Sequence, residues 1–192
     1  MKKFSLIIFL ICTFYISAQE KIEKEERVDF SIFPEKAKEF MSLFSDFDKV
    51  KHFKEIDGKK VSYESKLKHK KQIYSIEFSQ EGVIEDIEVT TRFKRIPKSI
   101  KNIIKSYLKD NYLKYHVIKT QKQFVFNKHT NYSDYVQSIL NTSKELSPKY
   151  EIVLEVKLKN KKTEQREFLF NELGEFISFR VVKPLSYDYV LY

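Results

Sequence analysis

The four histidines of this sequence are the residues to test for metal chemistry. His52, His69, His116 and His129 lie far apart in the chain, and none has another histidine three or four residues away. A metal site needs several ligands that converge with a fixed geometry. The spacing therefore predicts no metal site, and each histidine is expected at the surface or at the edge of a sheet.

Two pairs of carboxylates, Glu85 with Glu88 and Glu151 with Glu155, are candidates for general acid and base chemistry. Such chemistry needs a cleft that raises the pKa of one carboxyl group. Glu151 and Glu155 alternate with apolar residues on a predicted strand, so both are expected on a solvated face. Neither pair predicts a catalytic site.

The sequence lacks the usual motifs of nucleophilic catalysis and of phosphate binding. The single cysteine, Cys12, lies inside an apolar run near the N-terminus, and the chain has three glycines in all. No Gly-x-Ser-x-Gly sequence occurs, and three scattered glycines cannot form a phosphate-binding loop. The sequence therefore predicts a protein that is not an enzyme, with no catalytic residue and no cofactor. A hydrolase remains the alternative, which turnover of peptide or β-lactam substrates would support.

The N-terminus has the pattern of an export signal. Lys2 and Lys3 precede an apolar run over 4–16, which Ser17 and Ala18 follow. A basic segment, a short apolar segment and small residues are typical of a secretory signal peptide. We predict a signal peptide over 1–18, cleavage near Ala18, and a periplasmic or secreted protein. The run is too short to cross a bilayer as a helix, so no transmembrane segment is expected after cleavage; an uncleaved anchor is the alternative.

The chain as a whole is basic, with a formal net charge of +9. A moderate positive charge on an exported protein favours solubility, or weak attraction to an anionic lipid, glycan or protein, over binding of nucleic acid. The simpler interpretation is a solvated surface of mixed sign. Residues 19–29 are almost all charged and are expected to form a flexible leader.

A pattern of one helix followed by strands occurs twice. Pro34 precedes apolar residues at helical spacing, and Pro97 does the same further along the chain; these residues are Ala37, Phe40, Met41 and Phe44, and Ile100, Ile103, Ile104 and Tyr107. Proline is tolerated where a helix begins, because its missing amide hydrogen would have no partner there. The pattern predicts one amphipathic helix at the start of each unit.

Each helix leads into alternating strands that end in a hairpin with a central glycine. Ile76, Phe78, Ile87 and Val89 surround Gly82, and Phe168, Phe170, Phe179 and Val181 surround Gly174 at the same offsets. We predict an α+β fold of two tandem helix-plus-antiparallel-sheet repeats, over 30–95 and 96–183. The second is longer by an insertion over about 120–148, in which Tyr132, Tyr135, Val136, Ile139 and Leu140 predict a short helix capped by Asn131 or Ser133. Residues 184–192 form an aromatic C-terminal tail.

The two Phe/Ile-Pro helix starts and the two glycine hairpins resemble those of PepSY-like exported proteins of the Bacteroidetes type, which are related to β-lactamase-inhibitor-like tandem repeats. The resemblance covers residues 30–183, apart from the insertion. It implies helices packed on antiparallel sheets, a periplasmic or secreted location, and non-enzymatic binding or inhibition. The abundance of lysine and the insertion depart from the simplest pattern, so the resemblance does not identify a partner.

The second sheet has apolar residues on the face that should point away from its helix. These are Val153, Leu169, Phe176 and Val182, flanked by Lys157, Lys159 and Arg180. An apolar patch among charges is typical of a contact surface. We predict that this face binds another exported or envelope protein, unless the insertion helix or the tail covers it. The alternative function is a carrier or sensor of a small amphiphilic or anionic ligand, held between sheet and helices.

Overall fold

The computed structural model describes residues 19–182, apart from 22, 45–46, 48, 128–130 and 142–145. The predicted signal peptide at 1–18 and the aromatic tail at 184–192 lie outside the described residues. Within the described part of the chain, no helix has the length and apolar character needed to span a membrane.

Ten strands of the described residues form one sheet. Nine of them, β2 to β10, pair antiparallel in chain order, and the short β1 pairs parallel with β10. The predicted α+β class with antiparallel sheet is therefore confirmed, and the strands of both predicted units belong to one continuous sheet. The strands are β1 Gln19–Lys21, β2 Glu23–Arg27, β3 Lys51–Asp57, β4 Lys60–His69, β5 Gln72–Ser79, β6 Ile84–Thr90, β7 Lys114–Val125, β8 Lys149–Lys157, β9 Thr163–Phe170 and β10 Phe176–Val182.

In the part of the chain that the structure describes, three α-helices accompany the sheet: α1 Glu35–Met41, α2 Lys98–Asn111 and α3 Tyr132–Leu140. Pro34 and Pro97 each stand directly before the first residue of a helix, with extended backbone, as the sequence predicts. Helix α1 is short and passes into a 3-10 helix over Ser42–Phe44. Two more 3-10 helices, Phe30–Ile32 and Phe93–Arg95, precede α1 and α2.

The two glycine hairpins make equivalent contacts with the two helices that begin after proline. Gly82 and Gly174 have φ of 77° and 88°, a left-handed backbone that glycine adopts without steric cost. A Cβ atom at Gly82 would lie 2.6 Å from Pro34 Cβ, and one at Gly174 would lie 2.7 Å from the Ile100 carbonyl oxygen. Each glycine therefore lets a hairpin approach the first turn of a helix.

Two hydrophobic cores lie between the sheet and the helices. The first surrounds Phe40 of α1 and Phe78 of β5, and the second surrounds Ile104 of α2 and Phe168 of β9, all of them almost fully buried. Ile103, expected on the buried stripe of α2, is 45% exposed. The buried side of α2 is instead formed by Ile104 and Leu108, which are one turn apart on the helix.

The insertion contains the predicted helix. Asn131 caps α3, since its side chain accepts a hydrogen bond from the Asp134 amide at 3.0 Å. Tyr135, Val136 and Ile139 belong to the first core, so α3 extends the short helical layer that α1 begins. A residue range inserted in the second half of the chain thus completes the core of the first half.

Residues 19–29 differ from the expected flexible leader. Strand β2 pairs antiparallel with β3 through Arg27↔Phe53 and Glu25↔Glu55, while β1 pairs with β10. One residue separates β1 from β2, so this segment joins the two ends of the strand order. Its charged side chains favour solvent, but its backbone satisfies the hydrogen bonds of two otherwise open sheet edges. The amino-acid composition of the segment does not reveal these backbone hydrogen bonds.

Candidate functional site

The inner face of the sheet, which we define as the face opposite the helices, is the candidate functional site. Its residues follow from the register, because alternate residues of a strand point to opposite faces. Asp57 of β3 and Arg180 of β10 both point to this face, and Arg180 Nη1 lies 3.5 Å from Asp57 Oδ2. The sheet therefore curves until its two ends meet, with the inner face on the concave side.

Carboxylates face each other across neighbouring strands of the inner face. Glu64 of β4 is the cross-strand partner of Glu77 in β5, and Glu77 is the partner of Asp86 in β6. Like charges directly opposite each other destabilise an antiparallel sheet. Three carboxylates in one row therefore cost free energy, which their other contacts must offset.

The first carboxylate group consists of Glu25, Glu55 and Glu64, and a lysine forms ion pairs with two of them. Lys66 Nζ lies 2.7 Å from Glu64 Oε2, forms an ion pair with Glu25, and lies 4.7 Å from the centre of the Phe53 ring. Burial by itself would lower the pKa of Lys66, but the charges of Glu64 and Glu25 outweigh it and raise that pKa. The chain supplies its own cation to this group.

The second carboxylate group consists of Glu77, Asp86 and Glu88, and one ligand oxygen from each lies within 4.8 Å of the others. The hydrogen bonds that the structure gives Asp86 and Glu88 come from neutral amides. Gln123 Nε2 donates to Asp86 Oδ2 at 3.0 Å, and Gln121 Nε2 donates to Glu88 Oε2 at 2.5 Å. Among the described residues, Asp86 Oδ1 of this group and Oε1 of the neighbouring Gln121 are buried and have no hydrogen-bond partner.

Burial makes this second group electrostatically costly. Asp86 is 7% exposed and Glu88 is 4% exposed. Desolvation, together with the charges of Glu151 and Glu85, raises the pKa of Asp86 to about 7. Desolvation, together with Glu151, Glu77 and Asp86, raises the pKa of Glu88 well above its usual range. Each ionised carboxylate here opposes the ionisation of the next.

Two of the predicted apolar binding residues, Val153 and Leu169, lie on the inner face of the second half. Val153 pairs with Glu167 and Leu169 with Glu151, and both are half-buried. Glu151, expected on a solvated face, is also half-buried. Its position beside the second carboxylate group explains its effect on Asp86 and Glu88.

Phe176 is wrongly placed by the sequence analysis. Its ring stacks on Tyr107 of α2, with centroids 4.5 Å apart, and packs against the second core. The reason is a bulge between Phe176 and Ser178, which shifts the register of β10 against β9. An extra residue in one strand reverses the face on which the preceding side chains lie.

The remaining predicted binding residues have different surroundings. Lys157 and Val182 are half-buried near strand ends, and Lys159 is exposed in the turn between β8 and β9. Arg180 forms ion pairs with Glu167 and Asp57, so its guanidinium serves the closure of the sheet. These residues do not form one patch with Phe176. The insertion helix α3 packs on the first core and does not cover the inner face.

A small cavity of about 60 Å³ lies between α3 and the sheet. Its lining includes Tyr74, Lys122, Phe124 and Ile139. Sites for drug-sized ligands are several-fold larger, about 300–1,000 Å³. This cavity therefore does not match the ligand-carrier alternative.

The three histidines that the structure describes lie at separate places. His52 stacks on Phe30, with centroids 4.5 Å apart, and its Nδ1 lies 2.9 Å from Ser65 Oγ. His69 contacts Phe47 edge-on, and His116 is exposed on β7. His129 lies outside the described residues.

Sequence analysis missed the second carboxylate group, although one signal for it was present. The hairpin around Gly82 places Glu77 of β5 opposite Asp86 of β6, and Glu88 follows two residues later on the same face. The contribution of Gln121 and Gln123 could not be read in this way, because it depends on the pairing of β6 with the distant β7.

No protein-family model matches this sequence, and no curated protein matches it. Two solved structures from Bacteroides share its fold. A BLIP-like protein from Bacteroides fragilis matches with a TM-score of 0.50 and 10% identity, over 81% of this chain and 90% of that chain. A DUF2874 family protein from Bacteroides ovatus matches with a TM-score of 0.50 and 11% identity, over 78% of this chain and 87% of that chain.

The fold is BLIP-like. The predicted resemblance to β-lactamase-inhibitor-like proteins is thereby confirmed for the fold, in which helices cover one side of a curved antiparallel sheet. At this level of identity the likeness concerns the fold alone, because many functions share one fold.

Proposed function

We propose that this chain is a non-enzymatic binding module that docks another exported protein, in an inhibitory or regulatory role. The observation that carries the proposal is that α1, α2 and α3 all pack on one side of a BLIP-like sheet. No helix of the described residues covers the opposite, inner face, and we assign its second half to a partner. The scattered histidines and the absence of a nucleophile motif in the sequence favour binding over catalysis.

We further propose that the protein is periplasmic or secreted, and that it contains two tandem repeats over 30–95 and 96–183. The signal peptide that the sequence predicts over 1–18 supports the location. The repeat is supported by two prolines that precede helices and by two glycines whose hairpins approach those helices.

The docking surface in this proposal is the second half of the inner face. Leu169 and Val153 supply half-buried apolar area there, and Lys157 and Lys159 supply positive charge at one end of β8. In such a surface the apolar side chains exclude water, and the neighbouring charges orient the partner. Phe176 and Arg180 are not part of this surface, because their side chains are used within the fold.

Affinity capture from envelope extracts tests the proposal. Immobilised protein comprising residues 19–192 is compared with a Leu169→Ser/Lys157→Glu variant. Ile103→Ser/Lys105→Glu is the matched control, because both of its residues are exposed on α2, on the opposite side of the sheet. We expect the same captured protein with the wild type and the control, and loss of that protein with the first variant.

The salt dependence of capture separates the two kinds of contact. Loss of the partner at high salt indicates the lysines, and retention indicates the apolar side chains. Equal capture by both folded variants, or no protein captured above an empty matrix, would rule out docking through this face.

A further inference from the structure

We propose that Glu77, Asp86 and Glu88, with the side-chain oxygen of Gln121, bind a divalent cation of the size of calcium on the inner face of the sheet. This site shares no residue with the docking surface and does not depend on it. The ligands come from three neighbouring strands: β5, β6 and β7.

The geometry suits a hard cation with oxygen ligands. One oxygen from each of the three carboxylates lies within 4.8 Å of the others. Calcium binds oxygen at about 2.3–2.6 Å, so two of its ligands stand at most about 5.2 Å apart. The three oxygens can therefore bind one calcium ion with little rearrangement.

Two buried oxygen atoms at this site lack a hydrogen-bond donor, which is what the ligands of a cation would show. Asp86 Oδ1 and Gln121 Oε1 have no hydrogen-bond partner among the described residues, and Gln121 is 3% exposed. The Gln121 amide is held beside Glu88 by the hydrogen bond that its Nε2 donates. A buried acceptor without a donor is costly, and a bound ion is one of the few explanations for it in a native structure.

The neighbouring carboxylate group provides an internal comparison. Glu25 and Glu64 bind the Lys66 ammonium, which balances their charge. Asp86 and Glu88 instead receive hydrogen bonds from the neutral amides of Gln123 and Gln121. Burying adjacent carboxylates is unfavourable unless cations balance their charge. Lys60 and Lys119 offset the charge of Asp86 and Glu88 only in part, so a cation from solution would add what Lys66 supplies to the first group.

Calcium fits better than magnesium because the site is buried. Asp86, Glu88 and Gln121 are all more than nine-tenths buried. Magnesium dehydrates reluctantly and usually keeps several waters, whereas calcium accepts carboxylate and amide oxygens in irregular geometries. The donor set contains oxygen only, which disfavours zinc and copper.

Titration calorimetry and thermal unfolding of the protein comprising residues 19–192, stripped of metal with a chelator, test the proposal. We expect calcium to bind at one site and to raise the unfolding temperature, and magnesium to do so more weakly. The Asp86→Asn/Glu88→Gln variant should bind calcium at least about tenfold more weakly, because the number of charged ligands sets the affinity. Glu55→Gln, which also changes a buried carboxylate to an amide, should retain the affinity of the wild type.

Several results would overturn the site. We expect the wild type to show binding heat and a higher unfolding temperature at millimolar calcium. If it shows neither, the proposed site does not exist. An unchanged affinity in Asp86→Asn/Glu88→Gln, or a loss confined to Glu55→Gln, would place the ion elsewhere. Circular dichroism establishes folding, and if the double variant is unfolded, Gln121→Met replaces it; wild-type affinity in that variant contradicts the proposed ligand set.

Discussion

Arg180 and Asp57 stand near opposite ends of the strand order, on β10 and β3, yet their side chains form an ion pair 3.5 Å apart. The same guanidinium contacts Glu167, a buried residue on β9. One side chain therefore links both ends of the sheet across its concave face. Glu64, Asp86 and Glu88 lie buried on the same face.

We predict that Arg180→Met destabilises the protein by on the order of 2 kcal/mol. The change leaves Glu167 buried without its cation, and removing one partner of a fully buried pair costs about 3–5 kcal/mol. The cost is smaller here because the Arg180 side chain is 36% exposed. Urea unfolding followed by circular dichroism measures the difference.

The double variant Arg180→Met/Glu167→Gln provides the control for this prediction. It should recover part of the lost stability, because no uncompensated charge remains buried. Arg95→Met, at an exposed arginine, should change the free energy of unfolding by less than about 0.5 kcal/mol. If Arg180→Met also stays within that range, the ion pairs do not hold the sheet closed.

The three glycines allow backbone strain to be separated from steric overlap. All three have positive φ, but a Cβ at Gly58 would meet no atom within 4 Å, whereas one at Gly82 or Gly174 would overlap a helix. We expect Gly58→Ala to cost about 1 kcal/mol, from backbone strain alone. Gly82→Ala and Gly174→Ala should each cost at least about 2 kcal/mol, because a hairpin must also move away from its helix. Equal losses at all three positions in urea unfolding would contradict these close contacts.

His52 should make the protein less stable in acid. Burial lowers the pKa of His52 below its usual 6.5, and Asp29 offsets this only in part. Below pH 6.5 the unfolded chain therefore takes up the proton first, so the free energy of unfolding falls as the pH falls toward the folded pKa. His52→Gln should reduce this fall between pH 7 and pH 5. The exposed His116→Gln is the control, and an unchanged pH profile in His52→Gln would disprove the assignment.

Tyr135 should be the residue that attaches α3 to the sheet. Its hydroxyl donates a hydrogen bond to the Phe124 carbonyl oxygen of β7, and its side chain is buried in the first core. Tyr135→Phe should cost about 1 kcal/mol, the usual net contribution of one such bond. Tyr132→Phe keeps its aromatic contacts with Phe40 and Phe126 and should cost less. Equal costs in thermal unfolding would show that the Tyr135 bond adds nothing.

The candidate site was only partly predictable from the sequence. Alternation along β8 and β9 placed Val153 and Leu169 on the inner face, as the structure has them. The same alternation failed at Phe176, because it cannot register a bulge. It also left Glu151 as a solvated residue, since the burial of a polar face depends on how strongly the whole sheet curves.

The sequence by itself determined the local elements: the helices after Pro34 and Pro97, the glycine hairpins and the helix within the insertion. Periodicity, proline and glycine act over a few residues, so these features need no knowledge of distant parts of the chain. The tertiary structure decided that α3 joins the first core, that β1 and β2 connect the two ends of the sheet, and that Glu77, Asp86 and Glu88 come together with Gln121 bonded to Glu88. These relationships depend on strand register and curvature, which long-range pairing sets and local preference does not.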